Sequence, residues 1–420
     1  MDPGSDSRGH LMQIESIVSR SVRLPFRFSF GHSLASRNFS RNIVVEVKIV
    51  AGEETVTGLG ESVPREYVTG ETVETALSFI NEVLAPAFLG RSFAGVEQLL
   101  EALEALFYQE RLDERPMGAA FCALELALLD ACARLLGLPF YLMPAYLARF
   151  SRLPGADSAL DRTLWSVELP WSERVFRYGG VVPFGKRRVL EVLLRAYRAY
   201  GFRTVKLKVG DDIDEDLAKI KLARSILGPA VQLRIDANCA WNFDSACRAM
   251  ERFRPQGVVS LEQPLPRLDR EGLARLQAYL PETIVVDESL TTLKEAQTLV
   301  ELKACRAFNI RISKVGGIVA AMKLVELARQ ASLECHLGAQ VGESGILASA
   351  QKHLAHAVPD LFANVEGAMN LFLLKRDLTR ECLTVPFGAV VSARRPEREN
   401  MGLAVNLKRE SLIKLMEASP

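Results

Sequence analysis

From Tyr178 to Gly367 the chain repeats one unit: a short run rich in Val, Ile and Leu, then a helical pattern with apolar residues three and four apart. Val205 to Val209 precedes a predicted helix through Ile226, Gln232 to Asp236 one through Phe253, and Val258 to Glu262 one over Arg270 to Tyr279. Thr283 to Asp287 precedes Leu293 to Leu302, Ala307 to Ile312 precedes Val319 to Gln330, and Leu333 to Leu337 precedes Gly345 to His356. A first strand near Val175 to Val182 and a last one near Ala363 to Gly367 bring the count to eight. Each unit takes about 25 to 30 residues, the length of a strand plus the helix that crosses back over a parallel sheet. Such alternation builds either a closed β/α barrel or an open doubly wound sheet, and periodicity does not choose between them.

The charged residues do. Lys206 and Lys208, Asp236 and Asn238, then Glu262, Asp287 and Lys314 stand at the carboxyl ends of successive predicted strands. In a barrel these ends meet at one face, whereas an open sheet would spread them along a line. Three carboxylates 26 and 25 positions apart (236 to 262, 262 to 287) can then ring one cation. A single such acid more often caps a helix; three in register converge. With only oxygen donors the set suits a hard divalent ion, Mg²⁺ or else Mn²⁺. Lys206 and Lys208 are two apart on a strand and share a face, and their repulsion favours one neutral amine able to accept a proton. Lys314 is expected at the end of a strand on the opposite side of the mouth. A lysine on each face of a metal-bound carboxylate could take a proton from one side and return it on the other, the metal holding the enediolate between the steps.

Composition narrows the partners. The chain has 420 residues, 49% of them apolar, which suits a barrel plus a smaller domain. Lys and Arg number 52 against 51 Asp and Glu, a balance that argues against nucleic acid and leaves room for a small carboxylate substrate. Seven scattered cysteines form no CxxC pair, so no zinc site or disulfide framework is indicated and a reducing cytoplasm is expected. MDPGSDSRGH reads as a loose polar tail with no apolar signal core behind it, and the Asn38-Phe39-Ser40 sequon as chance. No apolar run reaches the roughly 20 residues of a membrane span. A homo-oligomer with no membrane partner is expected.

Residues 1–140 form a different region, an α+β domain with residues 1–11 as tail. Gln13 to Arg23 and Ile43 to Val50 alternate as strands, Gly52-Glu53-Glu54 turns into Thr55 to Glu61, and Phe28 to Asn42 is read as a mobile loop. Helical patterns follow from Thr72, and an apolar helix runs from Met117 to Leu136 before Gly137 and Pro139.

At these residues the sequence resembles the enolase superfamily, in its muconate-lactonizing subgroup. The matching segments are Thr204 to Gly210, Ile235-Asp236-Ala237-Asn238, Leu261-Glu262-Gln263-Pro264, Val286-Asp287-Glu288-Ser289 and Ser313-Lys314-Val315-Gly316-Gly317-Ile318. Gly58-Leu59-Gly60-Glu61 and Ala123 to Leu138 resemble that family's capping domain. The resemblance implies a modified TIM barrel, (β/α)7β, over residues 172–383, with an α+β capping domain and residues 384–420 packing back on the cap. It also implies that Asp236, Glu262 and Asp287 bind Mg²⁺, and that Lys208 and Lys314 are the acid/base pair. Lys206 would tune Lys208 and contact the substrate carboxylate, and Asn238 would support the site. Glu288 is expected to face away as a structural residue. The mandelate-racemase subgroup uses a histidine base after its seventh strand; His336 lies inside that strand and is expected in the core.

The match thins where substrates are chosen. His32 and Tyr67, in Phe30-Gly31-His32-Ser33 and Tyr67-Val68-Thr69-Gly70, are candidate substrate contacts, as is Gln340 after the seventh strand. Dipeptide epimerases of this family hold the substrate ammonium with an Asp-x-Asp pair on the eighth strand, where this chain has Asn364 and Glu366. Residues 141–171 are a longer link than the family uses. The leading expectation is a metal-dependent racemase or epimerase acting α to a carboxylate, on an amino-acid or dipeptide-like substrate. A muconate-type cycloisomerase, an o-succinylbenzoate-type dehydration and a non-catalytic binding barrel are the alternatives.

Overall fold

The computed structural model describes residues 11–32, 35–109, 117–150, 164–165, 169–210, 212–383, 385–395, 397 and 401–417. The amino-terminal sheet is antiparallel. Strand β1 (Met12–His32) pairs with β2 (Ala35–Ala51), β3 (Glu54–Ser62) joins the far side of β2, and β4 (Ser92–Phe93) edges β1. One face packs on helix Gly118–Leu135, buried from Gly118 to Ala133, its small and apolar sequence broken there only by Glu125 and Asp130. Gly58 and Gly60 permit the contact, since a Cβ on either would lie 2.0 or 1.9 Å from a carbonyl oxygen of that helix.

Phe28 to Asn42, expected as a loop, instead forms the far end of the β1–β2 hairpin, with Phe30 opposite Arg37 and His32 opposite Ala35. Ser40 and Asn42, near its base, are satisfied inside the protein. Ser40 accepts from Arg65 Nη2 at 2.9 Å, and Asn42 donates to Glu61 Oε1 at 2.6 Å.

The expected first barrel strand divides. Strand β5 (Val175–Arg177) pairs antiparallel with a carboxyl-terminal strand at Val390–Ser392, and only β6 (Gly180–Val182) enters the barrel. Then come β7 (Thr204–Lys208), β8 (Gln232–Asp236), β9 (Val258–Glu262), β10 (Thr283–Val286), β11 (Ala307–Ile310), β12 (Glu334–Leu337) and β13 (Phe362–Val365), hydrogen-bonded in chain order. A parallel bridge of Tyr178 to Val365 and a 2.7 Å bond from Gly179 N to Val365 O close the ring. Seven long helices return between successive strands, giving (β/α)7β. Asp212, Asn242, Asp269, Thr292 and Ser344 cap five of them through side-chain oxygens on backbone N–H groups, which is why the helices begin there.

Buried carboxylates seat the cap on the barrel. Glu125 of helix Gly118–Leu135 accepts from the Ile318 and Val319 N–H groups, at the amino end of helix Ile318–Gln330. Glu61, at the end of β3, accepts from Ser344 N and Oγ and from Leu347 N at 2.7–3.0 Å. Carboxyl oxygens accept from backbone N–H groups that a helix leaves unpaired at its amino end, so the two contacts also fix the angle of approach. Asp130 accepts from Leu59 N and Leu403 N, and Arg134 Nη2 donates to Val405 O, tying residues 401–417 to the cap. In the long link, helix Met143–Phe150 and the buried Trp165, whose Nε1 donates to Glu326, are described; residues 151–163 and 166–168 lie outside the described residues. Among the described residues no helix is long and apolar enough to cross a membrane.

Candidate active site

The barrel interior is polar where apolar layers usually fill it. On β7, Val205 and Leu207 are buried among apolar neighbours while Lys206 and Lys208 alternate toward the axis, and Arg234 and Asp236 do the same on β8. Asn309 and Asn364 take equivalent places on β11 and β13. Lys206 Nζ donates to both Glu262 oxygens at 2.9 Å and meets Glu366 Oε2 at 2.6 Å. Arg234 reaches Glu366 Oε1 at 2.8 Å, Glu262 Oε2 at 3.3 Å and His336 Nδ1 at 2.7 Å, and Asn309 donates to Glu262 Oε1 at 2.8 Å. Buried charges are tolerable only when paired and hydrogen-bonded, and this web pairs each of them.

A cavity opens above the web, between the strand carboxyl ends and the cap. Lys206, Lys208, Asp236, Asn238, Glu288, Arg311 and Glu366 form its polar floor. Its walls are apolar and come from both parts of the chain, with Phe28 and Tyr67 from the cap and Val181, Leu193, Val341 and Met369 from the barrel. Lys208 Nζ donates to Asp236 Oδ2 at 2.9 Å and to Asn238 Oδ1. Asp236 and Glu262 are paired Cα partners on β8 and β9, and Asp287 follows β10 directly, so the three carboxylates stand side by side as their spacing predicts.

Their electrostatics are set by neighbours. Burial opposes ionisation of Asp236, yet Lys208 and Lys206 hold its carboxyl well below the usual range. Burial opposes it at Asp287 as well, where Arg311 and Lys314 again win. At Glu262 burial prevails and the carboxyl is raised. Glu366 falls to about 2 despite burial, because Lys206 and Arg234 face it. For Lys206 burial is overcome by Glu262, Glu366 and Asp236, which raise the ammonium above its ordinary value. Charge repulsion from Lys208, expected to free an amine, is therefore outweighed by carboxylates at Lys206.

Two expectations change. Lys314 does not reach the cavity. It lies in the short helix Ile312–Val315, a turn beyond β11, fully buried, and its Nζ donates to Asp287 O at 2.6 Å, Asp287 Oδ1 at 2.7 Å and Asn309 O at 2.9 Å. The residue that does line the cavity from that strand is Arg311, which donates to Asp287 Oδ2 and, at 3.1 Å, to Gln340 Oε1. Glu288, expected to face away, lines the cavity and accepts from Asn238 Nδ2 at 3.0 Å; burial, with Asp287 and Asp236 adding, pushes its carboxyl up to about 7. The strand ends at Val286, so strict alternation no longer governs residue 288.

The remaining candidates are placed as follows. Tyr67, Gln340 and Glu366 line the cavity. Asn364 sits beneath it, donating to Glu366 Oε1 at 3.1 Å, and the side chain of His32 lies outside the described part. His336 is buried on Arg234, burial and that guanidinium lowering it to about 4, as a core residue. Sequence reasoning missed Arg234, Arg311 and Asn309. Period-two alternation carried the signal, since Arg234 precedes Asp236 by two and Arg311 follows Asn309 by two.

Among the described residues no three acids, histidines or cysteines are drawn into a ready cage. Lysines and arginine occupy the oxygens of Asp236, Glu262 and Asp287. The donor set nonetheless fits a hard divalent cation: three adjacent, buried, all-oxygen side chains already solvated by positive charge.

Comparison with known proteins agrees with this geometry. Residues 14–143 match the family described as mandelate racemase / muconate lactonizing enzyme, N-terminal domain, and residues 188–411 match the enolase C-terminal domain-like family. The chain is similar to the L-Ala-D/L-Glu epimerase of Bacillus subtilis, 29% identical over 347 residues that cover 82% of this chain and 85% of that one. It is also similar to the N-succinyl-L-Arg/Lys racemase of Bacillus cereus, 25% identical over 396 residues, 94% and 96% of the two chains. The dipeptide epimerase of Enterococcus faecalis V583, solved with Mg and the dipeptide L-Leu-L-Tyr, shares the fold with a TM-score of 0.76 at 24% identity, covering 94% of this chain and 99% of that one. With both domains matched in order around a site of this composition, the chain is an isomerase of the mandelate racemase/muconate lactonizing enzyme family in the enolase superfamily.

Proposed function

We propose that this protein removes the proton α to the carboxylate of a small substrate with an uncharged, largely apolar arm, and isomerises it from the resulting enediolate. The observation that carries the reading is the pairing of Lys208, at the floor of the cavity, with the row Asp236, Glu262 and Asp287. Those three residues would hold Mg²⁺, which supplies positive charge for the oxygen atoms on which the enediolate charge develops. The bound Mg of the Enterococcus faecalis structure supports that choice.

Lys208 Nζ takes the proton, and the carbon–hydrogen electron pair moves into the carboxylate. Asn238 holds Lys208 through Oδ1 and is itself fixed by Glu288, so the amine is aimed by two successive hydrogen bonds. Lys206 stays charged beneath it and offers its field to the substrate carboxylate. The apolar walls keep water from the enediolate.

The arm is uncharged because Glu366 has nothing left for an ammonium. Both its oxygens are taken, by Lys206 at 2.6 Å and Arg234 at 2.8 Å, and Asn364 beneath is neutral. N-acylated amino acids, which lack the free ammonium, therefore suit the cavity better than free dipeptides. Two completions are open to the enediolate. Epimerisation or racemisation, named for the relatives, needs a proton donor on the opposite face. Muconate-type cycloisomerisation needs none, and the closure of Lys314 favours it.

The test is hydrogen exchange. With Mg²⁺ in D₂O, a panel of N-acylamino acids, dipeptides and muconates is followed by NMR and mass spectrometry. Deuterium should enter at the α carbon in the wild type, and Lys208→Ala should slow it by ~10²-fold or more, the usual worth of a general base. Exchange undiminished in Lys208→Ala would remove this residue from the chemistry.

A further inference from the structure

A second cavity lies between the seventh barrel helix (Gly345–Ala357), the residues that lead out of the cap and the carboxyl-terminal segment. It measures about 220 Å³ and shares no lining residue with the active-site cavity. Ser349, Lys352, His353 and His356 enter it from the helix, at the three- and four-residue spacing that puts them on one face, and Tyr141, Glu381 and Arg394 help complete its wall. Ala348 and Gln351 of the same helix serve the active site instead. Ala348 lines that cavity, and Gln351 donates to Gly338 O and Glu366 O.

Two features of the second cavity ask for a ligand. The first is positive charge without a counter-ion. Lys352 is partly buried, which disfavours its ammonium, and Arg394 adds repulsion. Among the described residues neither forms an ion pair. Glu381, the carboxylate on the wall, is occupied by Asn406, accepting from its N at 2.7 Å and its Nδ2 at 2.8 Å. The second feature is a buried acceptor. His353 Nε2 lies 3.2 Å from Leu403 O, and since a carbonyl oxygen only accepts, that nitrogen carries the hydrogen. Burial, with Lys352 adding, pushes the imidazole down to about 3, so the ring is neutral and Nδ1 keeps its lone pair. His353 is 8% exposed and its Nδ1 has no hydrogen-bond partner. Tyr141 stacks on the ring, 6.0 Å between centroids, and fixes its plane. His356 is buried as well and makes no hydrogen bond through either nitrogen, only the Arg174 backbone lying near. A buried polar atom without a partner is costly, and in a cavity walled by cations a ligand can satisfy it.

We propose that this cavity is a second ligand site, one that takes a small oxyanion carrying a hydrogen of its own: the oxygens on Lys352 and Arg394, the O–H donated to His353 Nδ1. Inorganic phosphate and small hydroxy acids share that chemistry. Sulfate and acetate match them in shape and in the sign of charge but lack the hydrogen. The site goes beyond the isomerisation proposed above and uses none of its residues.

Calorimetry on the intact Mg²⁺-loaded protein at pH 7 compares phosphate with sulfate, and glycolate with acetate. Within each pair the member that keeps an O–H should bind about tenfold tighter, the worth of one hydrogen bond to a buried acceptor. The tighter of phosphate and glycolate identifies the source of the oxyanion. Lys352→Gln should weaken binding by about tenfold or more, as loss of a charge-assisted contact does, while Lys208→Ala in the catalytic cavity should leave it unchanged. Arg394→Gln, at the exposed rim, should cost about threefold and keeps the test decisive if Lys352→Gln does not fold. His353→Phe should erase the difference within each pair. Equal binding within the pairs overturns the proposal, as does binding lost in Lys208→Ala but kept in Lys352→Gln and Arg394→Gln. No saturable binding of phosphate or glycolate below about 10 mM overturns it too.

Discussion

Replacing Gly60 by alanine tests how the cap is held over the active site. The new Cβ would lie 1.9 Å from Ala123 O and 2.8 Å from Ala127 N, both backbone atoms of helix Gly118–Leu135. No rotamer relieves a clash with backbone, so β3 must retreat from the helix by roughly 1 Å in a core packed at crystal density. Strand β3 is not free to do so, because Gly60 is registered opposite Val45 on β2. The next residue, Glu61, would move with it and strain its bonds to Ser344 and Leu347, the seat of the cap on the seventh barrel helix. Removing a glycine restricts the unfolded chain and gains ~0.4–1 kcal/mol. Overpacking costs ~1–3 kcal/mol in a yielding core and more against backbone. The net expectation is a loss of about 3 kcal/mol in guanidinium unfolding with an unchanged slope. Gly185→Ala is the control: nothing lies within 4 Å of its Cβ, so it should be neutral or stabilising by up to ~1 kcal/mol. Gly60→Ala within ~0.5 kcal/mol of wild type, the range of an ordinary surface change, would refute the claim that this glycine is required for close approach.

Other expectations test the site and the seams around it. Lys314→Met should cost ~3–5 kcal/mol in denaturant, the usual result of breaking a buried ion pair, with α-proton exchange still observed; normal stability with lost exchange would return Lys314 to the chemistry. Arg311→Gln should tighten Mg²⁺ binding about tenfold by calorimetry, since a guanidinium no longer competes for Asp287, a charge-assisted contact worth ~1.5–3 kcal/mol; unchanged affinity would mean the two do not compete. Burial pushes Glu61 to about 7 and Glu125 to about 8. A carboxyl raised in the folded state contributes stability that is complete below its ordinary value near 4.5 and disappears as pH rises through the folded value. Melting temperature in EDTA should therefore fall between pH 5 and pH 9, and less steeply in Glu61→Gln; a flat or rising profile would contradict that assignment.

Most of the barrel was legible because its signals are local. Each strand is a short apolar run, five of the seven barrel helices announce their start with an oxygen-bearing cap, and lysines two residues apart on a strand must share a face. The antiparallel pairing of residues 175–177 with 390–392 was not legible, since it depends on segments more than two hundred positions apart. Nor was the hairpin end at residues 28–42, whose Ser40 and Asn42 find Arg65 and Glu61 from elsewhere in the chain. The instructive case is Lys314. A lysine ahead of two glycines marks the right turn of chain, but a strand ends before it, and one turn of helix carries its amine under the site instead of into it. The alternation that correctly paired Lys206 with Lys208, carried on from Asn309, points to Arg311. Gly317 shows why that turn is built as it is. A Cβ there would meet Glu125 Oε2 at 1.8 Å, so the glycine admits the cap's carboxylate to the helix that follows, and the same turn that buries Lys314 docks the cap. Local pattern thus fixes which residues belong to the mouth of the barrel. Which of two neighbouring cations lines the cavity is decided by where that strand ends, since Arg311 continues its alternation and the turn of helix after it carries the Lys314 amine onto Asp287 and Asn309.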